Sequence, residues 1–462
     1  MRVQISQLFL PEVMEAIENG DLESLRTVFE DLHPSDVAEL LVHLSPDRIA
    51  AIVRILRAPK GIDVFEQLEL ATQAEVLKHL GRAETVKLLE EMSADDRVDL
   101  LKKLPSETVD SLLPLMAQAD RDDVRRLLQY GEKTAGALMT TEYASLPAQV
   151  TVAEAMAKLR NIAPDRETIY YIYIIDGDRK LLGTISLRDL VLARPTQKIE
   201  DFMSVDPISV RVDMDQEEVA KMVAKYDFLA LPVIDPDKRL VGIITHDDAM
   251  DVVEREQTED VQKLGGMEVL DAPYFNVGFF SLVRKRAGWL TALFLGEMFT
   301  ATAMGYYEHE IERAVVLALF IPLIISSGGN SGSQASTLII RALAVREVRL
   351  RDWWKVFGRE IVSGLALGAI LGTIGFFRIV LWQQWRPMYG EHYLFVAATV
   401  ACSLLGVVMW GTITGSMLPF ILRKLGFDPA SASAPFVATL VDVTGLVIYF
   451  SFASLILGGV VL

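Results

Sequence analysis

From about Ala287 onward the chain carries five apolar runs, near 287–307, 314–342, 356–382, 392–422 and 430–461. Each is long enough to cross a bilayer, for which roughly 20 apolar residues at a rise of about 1.5 Å suffice. No other feature constrains the fold as much. Inside hydrocarbon every backbone N–H and C=O must be satisfied within the chain, so runs of this length are helices. Several exceed the minimum, which predicts tilted or projecting helices rather than extra crossings. The charge divides at the same place: residues 1–270 hold 51 acidic against 31 basic side chains, and the remainder 11 against 14. An acidic body therefore precedes an apolar one.

Basic residues near the ends of spans stay on the cytoplasmic side. Arg284, Lys285 and Arg286 precede the first run, Arg341, Arg346, Arg349, Arg351 and Lys355 separate the second from the third, and Arg423 and Lys424 precede the fifth. Glu308, Glu310, Glu312 and Glu391 fall at the opposite ends. This pattern puts the N-terminal body in the cytoplasm and the C-terminus outside. Met1–Leu10 lacks the basic start and long apolar core of a signal peptide. The one cysteine, Cys402, lies within the fourth run, so a disulfide framework and a cysteine metal site are excluded and a lipid-facing or packing role remains.

Between His33 and Met116 the acidic body repeats every twelve residues, as in HPSDVAELLVHL, SPDRIAAIVRIL, GRAETVKLLEEM and SADDRVDLLKKL. Each unit opens on turn-forming residues and ends with leucines at helical spacing, which predicts one short helix per unit, capped by Ser, Asp or Thr and stacked into a superhelix. A second repeat follows. YIYIIDGDRKLLGTISLRDL and LPVIDPDKRLVGIITHDDAM each join two strands by an Asp-rich turn, within the order strand, helix, strand, strand, helix. The duplicated Gly183, Ser186, Asp189 and Gly242, Thr245, Asp248 resemble the G-x-x-[ST]-x-x-D motif of CBS domains. That resemblance implies an α/β tandem pair in which Ser186, Asp189, Thr245 and Asp248 are candidates for holding the ribose of an adenine nucleotide such as ATP. DDAMDVVEREQTEDVQKLGG, free of Gly and Pro until Gly265, then reads as a charged connecting helix.

Three carboxylates lie well inside apolar runs: Glu297, Glu360 and Asp442. Such groups cost a few kcal/mol each on insertion and usually face a hydrated path. Glu360 adjoins Arg359 near the cytoplasmic surface, and Glu297 sits among Phe294, Leu295, Met298 and Phe299, where a hydrogen bond to another helix competes with ion contact. Asp442 follows Pro435 and shares a small-residue face with Ala438, Thr439 and Gly445. A proline at mid-span is expected to free a carbonyl of the preceding turn. In the second run, SSGGNSGSQAS includes Gly328, Gly329 and Asn330, too polar for lipid and broken enough to expose carbonyls to an ion. Oxygen ligands without sulfur or imidazole suit magnesium, which keeps most of its water. One carboxylate per chain holds a hydrated ion only as half of a symmetric pair.

PLIISSGGNSGSQASTLIIRALA and DPASASAPFVATLVDVTG, behind an acidic helical repeat, a CBS pair and a charged helix, resemble the MgtE family of magnesium channels across essentially the whole chain. The resemblance implies a multidomain membrane protein: an α-helical superhelical N-domain (1–134), a tandem CBS pair (135–253), a connecting or plug helix with its linker (254–280) and a five-helix transmembrane pore domain (281–462). It implies no enzyme and no nucleic-acid partner, but a homodimer in the inner membrane with its pore between subunits. The ion site falls on Asp442 and the carbonyl of Ala438, with Gly328, Gly329, Asn330, Pro435 and Thr439 lining the path. Regulatory Mg2+ sites fall on Asp95, Asp99, Glu217, the backbone of Ala224, Asp227, Asp248, Asp251, Glu256, Glu259 and Asp260. Where some members have Asn before the fifth-run proline, this chain has Ala434.

Electrostatics gives those acids a use, because divalent ions between facing carboxylates favour a compact state. Moving a gate from 1:99 to 99:1 takes about 5.5 kcal/mol. A weak site at roughly three times its dissociation constant supplies about 0.8 kcal/mol, so on the order of seven sites are needed. An intramembrane metalloprotease would need H-E-x-x-H. His309, Glu310, Ile311, Glu312 and Arg313 lack the second histidine. A nucleotide-gated transporter of another solute would keep its transport in Asp442→Ala, whereas a magnesium channel would lose it. A cobalt or manganese channel is a third reading: a site made of oxygen ligands alone favours magnesium but leaves passage of similar ions open.

Overall fold

The computed structural model describes residues 5–19, 21–56, 58–272 and 274–458. The ends of the first and last expected domains, 1–4 and 459–462, lie outside the described residues. The chain divides into two compact units, Met1–Arg255 and Glu256–Leu462.

In the first unit each twelve-residue repeat forms one helix, from Pro34–Leu41 through Pro46–Ile55, Lys60–Glu66, Leu70–Leu77, Arg82–Glu91 and α1 (Ala94–Lys103) to Ser106–Leu112. Leucine spacing buries Leu40, Leu41, Ile49, Ile52, Leu89, Leu100 and Leu101 along one continuous core. Helices pack most on the next but one. The expected hydroxyl caps are a correction: Ser45 and Ser93 stand at N-caps but their side chains cap nothing. Acids from an earlier repeat cap two of the helix starts instead. Glu66 Oε1 accepts from the N–H of Ser93 at 2.8 Å, and Glu90 Oε1 from that of Ala117 at 2.6 Å. A capping partner from the neighbouring layer satisfies the orphan donor and also ties the layers together.

The CBS repeat forms two sheets. The first runs in the order β1 (Tyr143–Pro147), β2 (Thr168–Ile175), β3 (Leu181–Ser186), β4 (Ser204–Val205), with β1 parallel to β2 and the rest antiparallel. The second has β5 (Val210–Arg211) parallel to β6 (Ala230–Ile234) and β6 antiparallel to β7 (Leu240–Thr245). Helix α2 (Gln216–Tyr226) connects β5 to β6. Both hairpin turns carry the left-handed residue at the same place, Arg179 and Lys238, rather than at Gly177.

The charged segment after β7 is one helix, α3 (His246–Leu264), within which the boundary between units falls. The second unit continues with α4 (Phe279–Tyr306), α5 (Ile321–Ala344), α6 (Trp353–Trp385), α7 (Tyr393–Lys424) and α8 (Ala434–Leu457). Among the described residues four segments are long and apolar enough to cross a membrane: Val315–Ala344, Leu350–Trp385, Tyr393–Lys424 and Ala434–Leu457. The 28-residue α4, the first expected crossing, falls outside that set. It carries Glu297 and the triplet Arg284–Arg286. Cys402 is exposed on α7.

Two expectations change here. The glycine-rich stretch of the second run is an unbroken helix. Its glycines serve close packing: a Cβ on Gly411 or Gly415 would collide with the backbone carbonyls of Gly328 and Gly332. Small residues let backbones approach where lipid gives no hydrophobic drive to pack. Pro435 does not interrupt a helix, because α8 starts at Ala434 behind the N-cap Ser433, whose Oγ accepts from the Phe436 N–H at 3.3 Å. In the first turn the missing N–H is an orphan anyway, so no carbonyl is freed.

Candidate functional site

Asp442 is half-buried, two turns into α8. Opposite it α5 presents Gly329, where a Cβ would lie 3.3 Å from Ala438 Cβ and 3.5 Å from Asp442 Oδ1. The missing side chain lets α5 lie against the carboxylate. Two serines fix the pairing: Ser333 Oγ donates to the Ala434 carbonyl at 3.0 Å and Ser336 Oγ to that of Ala432 at 2.8 Å. Ser326, Asn330 and Thr337 form an exposed polar stripe on α5, with Asn330 Nδ2 donating to Ser326 Oγ at 3.3 Å. Gly328 faces Val407 and Val441 inside the bundle. From the other side α4 brings Gly296 against Thr439, so close that a Cβ there would be 2.9 Å from Thr439 Cγ2. Glu297 is then within electrostatic reach of Asp442. Glu360 lies elsewhere, on α6 beside Arg359.

The end of α3 docks in the same unit. Lys263 Nζ donates to Glu259 Oε1 at 2.5 Å and to Asp428 Oδ2 at 2.6 Å. Asp428 lies in the loop before α8 and caps the short turn Pro429–Ser431 there by accepting from the Ala430 N–H at 2.9 Å. Burial opposes the Lys263 charge, but the bonds to Asp428 and Glu259 outweigh it and hold this ammonium above the usual lysine range. Beyond Leu264, Gly266 at φ 69° presses between Trp289 and Pro435, 2.6 Å and 3.3 Å from the place of a Cβ. No other residue fits that position, because both the positive φ and the indole exclude a side chain. Glu256 and Asp260 lie on the same helix as Glu259.

In the first unit acids from distant segments crowd around Asp95. Its charge interacts with Asp248, Asp96 and Glu167, and Oδ1 is shielded from solvent without a hydrogen-bond partner. Burial and that crowding push the Asp95 carboxyl well above its ordinary value. Burial is also the main cause at Glu66, Glu167 and Asp248, each pushed up to about 7. Asp96 is raised by burial and by Asp99, Asp251 and Asp247, and Asp251 by burial despite Arg255. Thr245 Oγ1 donates to Asp248 Oδ2 at 2.5 Å. Among the described residues no three His, Cys, Asp or Glu side chains form a ready-made cage for a bare metal ion. A buried acceptor without a donor, ringed by carboxylates, instead fits a cation that brings its own water.

Of the expected regulatory positions, Asp95, Asp99, Asp248 and Asp251 share this cluster, and Asp99 is also paired with Lys102 at 2.9 Å. Glu217 is engaged by Lys221 at 2.5 Å. Ala224 and Asp227 are exposed at the end of α2, Asp227 being its left-handed C-cap at φ 53°. Glu66, Asp96, Glu167 and Asp247 were not legible as members. Each reads as an ordinary surface acid until the repeats bring them together. The buried Arg97, 2% exposed, anchors the rim by donating to the Met92 carbonyl at 2.7 Å and to Asp120 at 3.3 Å, with Glu142 at 3.9 Å.

A cavity of about 290 Å³ opens between the CBS repeats, lined among others by Tyr171, Tyr173, Thr184, Asp206, Phe228 and Pro232. The expected nucleotide residues Ser186, Asp189, Thr245 and Asp248 do not line it. Ser186 Oγ donates to Asp189 Oδ2 at 2.6 Å and accepts from the Asp189 N–H at 3.1 Å, so this pair caps a helix.

Comparison with known proteins covers nearly the whole chain. Residues 32–133 match the MgtE intracellular N domain, 135–195 and 199–255 match CBS domains, and 321–452 match MgtE, a divalent cation transporter. The magnesium transporter MgtE of Thermus thermophilus is 42% identical over 451 residues, 97% of this chain and 98% of that protein. That of Bacillus subtilis is 32% identical over 440 residues, 95% of each. The crystal structure of the cytosolic domain of the Mg2+ channel MgtE in complex with ATP is 40% identical, at a TM-score of 0.50 over 53% of this chain and 99% of that one.

Proposed function

The chain belongs to the MgtE family of divalent cation transporters, and from that premise we propose that it is a magnesium-selective channel carrying Mg2+ into the cytoplasm across the inner membrane. The family is one of transporters, not of enzymes. The observation that carries the reading is Asp442 set against the side-chain-free face of α5 at Gly329, beside the exposed stripe of Ser326, Asn330 and Thr337. A polar stripe at membrane depth meets water or a second copy, since lipid satisfies none of its groups. In a homodimer two such faces enclose a wet path. Asp442 from each subunit, with the Ala438 carbonyl, then holds a hydrated ion, and Asn330, Pro435 and Thr439 flank it.

With α4 counted as the first of five crossings, the basic clusters keep the N-terminus inside and the C-terminus outside. The domains run over 1–134, 135–253, 254–280 and 281–462. Cytoplasmic Mg2+ neutralises the cluster around Asp95 and Asp248, with Asp99, Glu217, Ala224, Asp227, Asp251, Glu256, Glu259 and Asp260 as further positions. The ordered assembly holds α3 as a plug, with Lys263 on Asp428 in the loop before α8 and Gly266, just beyond α3, on Pro435 in its first turn. The aromatic cavity at Tyr171, Tyr173 and Phe228 suits the base of an adenine nucleotide such as ATP, the ligand of the related cytosolic domain.

The deciding experiment is Mg2+ uptake by Asp442→Ala and Asp442→Asn beside the unaltered chain. Both variants are expected to lose uptake while remaining in the membrane, and retained uptake would sink the reading. For the gate, millimolar Mg2+ should protect Glu256–Lys263 from limited proteolysis, and equal cleavage with and without it would count against a Mg2+-held plug.

A further inference from the structure

Glu297 is a carboxylate that neither the fold nor the proposed path has used. It lies eleven residues beyond Arg286 on α4, which at about 1.5 Å per residue is roughly 16 Å and close to half the thickness of a hydrocarbon core of about 30 Å. The side chain is exposed on the surface of its unit, and among the described residues no hydrogen bond or ion pair engages its carboxylate. A carboxylate held there in lipid is costly, so it turns toward water or a partner. The neighbouring contact says which. Gly296 touches Thr439, and Asp442 lies three residues further along the same face of α8. The charge of Glu297 already reaches Asp442.

We propose that Glu297 is a second carboxylate of the ion path, acting through water on a hydrated divalent cation held at Asp442. The inference rests on the reading of Asp442 as the ion site. Two such groups per chain put four carboxylates around a dimer axis, which answers the thinness of a single pair. Attraction at fixed distance doubles with the charge of the ion, so the added pair favours Mg2+ over monovalent cations.

The test uses the full chain in liposomes with a Mg2+-sensitive dye inside. Glu297→Gln keeps size and hydrogen bonding and removes the charge. It is expected to raise the half-saturating Mg2+ roughly tenfold and to narrow the preference over Na+, with Glu297→Asp restoring both. A half-saturation equal to that of the unaltered chain overturns the inference. If Asp442→Asn has lost uptake in the same assay, the ion path survives without Glu297; if Asp442→Asn is also unaffected, the ion path itself fails.

A packing role alone would also leave the preference over Na+ unmoved. Because a charge variant can fail to insert, a second measurement uses Glu297→Cys with Cys402→Ser, which leaves a single thiol. A charged, membrane-impermeant thiol reagent is expected to label it, more slowly in external Mg2+. Absence of labelling, or labelling indifferent to Mg2+, overturns the proposal.

Discussion

Lowering the pH from about 8 to about 6 is expected to raise the melting temperature of the first unit, in the opposite sense to acid denaturation. The cause is the crowding around Asp95. Glu66 and Glu167 rise from 4.5, and Asp248 from 3.8, to about 7 on folding. Between about pH 4 and pH 7 the folded chain therefore binds more protons than the unfolded chain. The resulting stability is fully present below the unfolded values and is lost as pH rises through 7. Taking one extra proton as a floor gives about 1.4 kcal/mol per pH unit. In a domain of roughly this size that is about 3–6 °C in melting temperature for each unit.

Carboxylates held below their ordinary values, such as Glu84 beside Gly81 and Asp213 beside Arg211, do not oppose this. Their support is lost only below about pH 4.5. Magnesium at about pH 8 should substitute for protons, contributing about 1.4 kcal/mol at ten times its dissociation constant. The assay is thermal unfolding of residues 1–264 by far-ultraviolet circular dichroism across that range, with and without Mg2+. Glu167→Gln should raise the melting temperature at the upper pH, leave it nearly unchanged at the lower, and shrink the Mg2+ gain. A melting temperature that falls on acidification, or equal destabilisation by Glu167→Gln at both ends, would refute the reasoning.

Arg97→Met removes a buried cation and strands Asp120 and Glu142, so the same assay should register a loss of about 3–5 kcal/mol. Gly415→Leu drives a side chain into the Gly332 carbonyl and should cost about 1–3 kcal/mol, read as a lower melting temperature of the full chain in detergent. Lys263→Gln frees α3 from Asp428, so uptake should persist at a cytoplasmic Mg2+ level that shuts the unaltered channel. Unchanged closure would show that this ion pair does not hold the plug.

The helical repeat, the order of the CBS pair and four of the apolar crossings are readable from residue spacing, because helix and strand periods depend on neighbours in the chain. The same spacing misassigned local detail wherever a distant segment supplied the partner. Ser93 reads as a cap, but Glu66 caps that helix from another layer. Gly328 and Gly332 read as breaks, but they are the faces on which α7 is seated. Pro435 reads as a mid-span kink because the apolar run gives no sign of where α8 starts; Ser433 marks that point.

Apolar runs, charge and period along the chain were enough to say that an acidic body precedes membrane helices and that Asp442 stands out among their carboxylates. Which acids face one another depended on folding. Glu66, Asp95, Glu167 and Asp248 are separated by 29, 72 and 81 residues, and no periodicity relates them. Their shared field exists because stacked repeats and a CBS sheet bring them into one poorly solvated place. Likewise Glu297 and Asp442 belong to helices far apart in sequence, and the contact of Gly296 with Thr439 sets one charge beside the other. Secondary structure is local and hydrophobic pattern is linear, whereas electrostatic coupling follows distance in space.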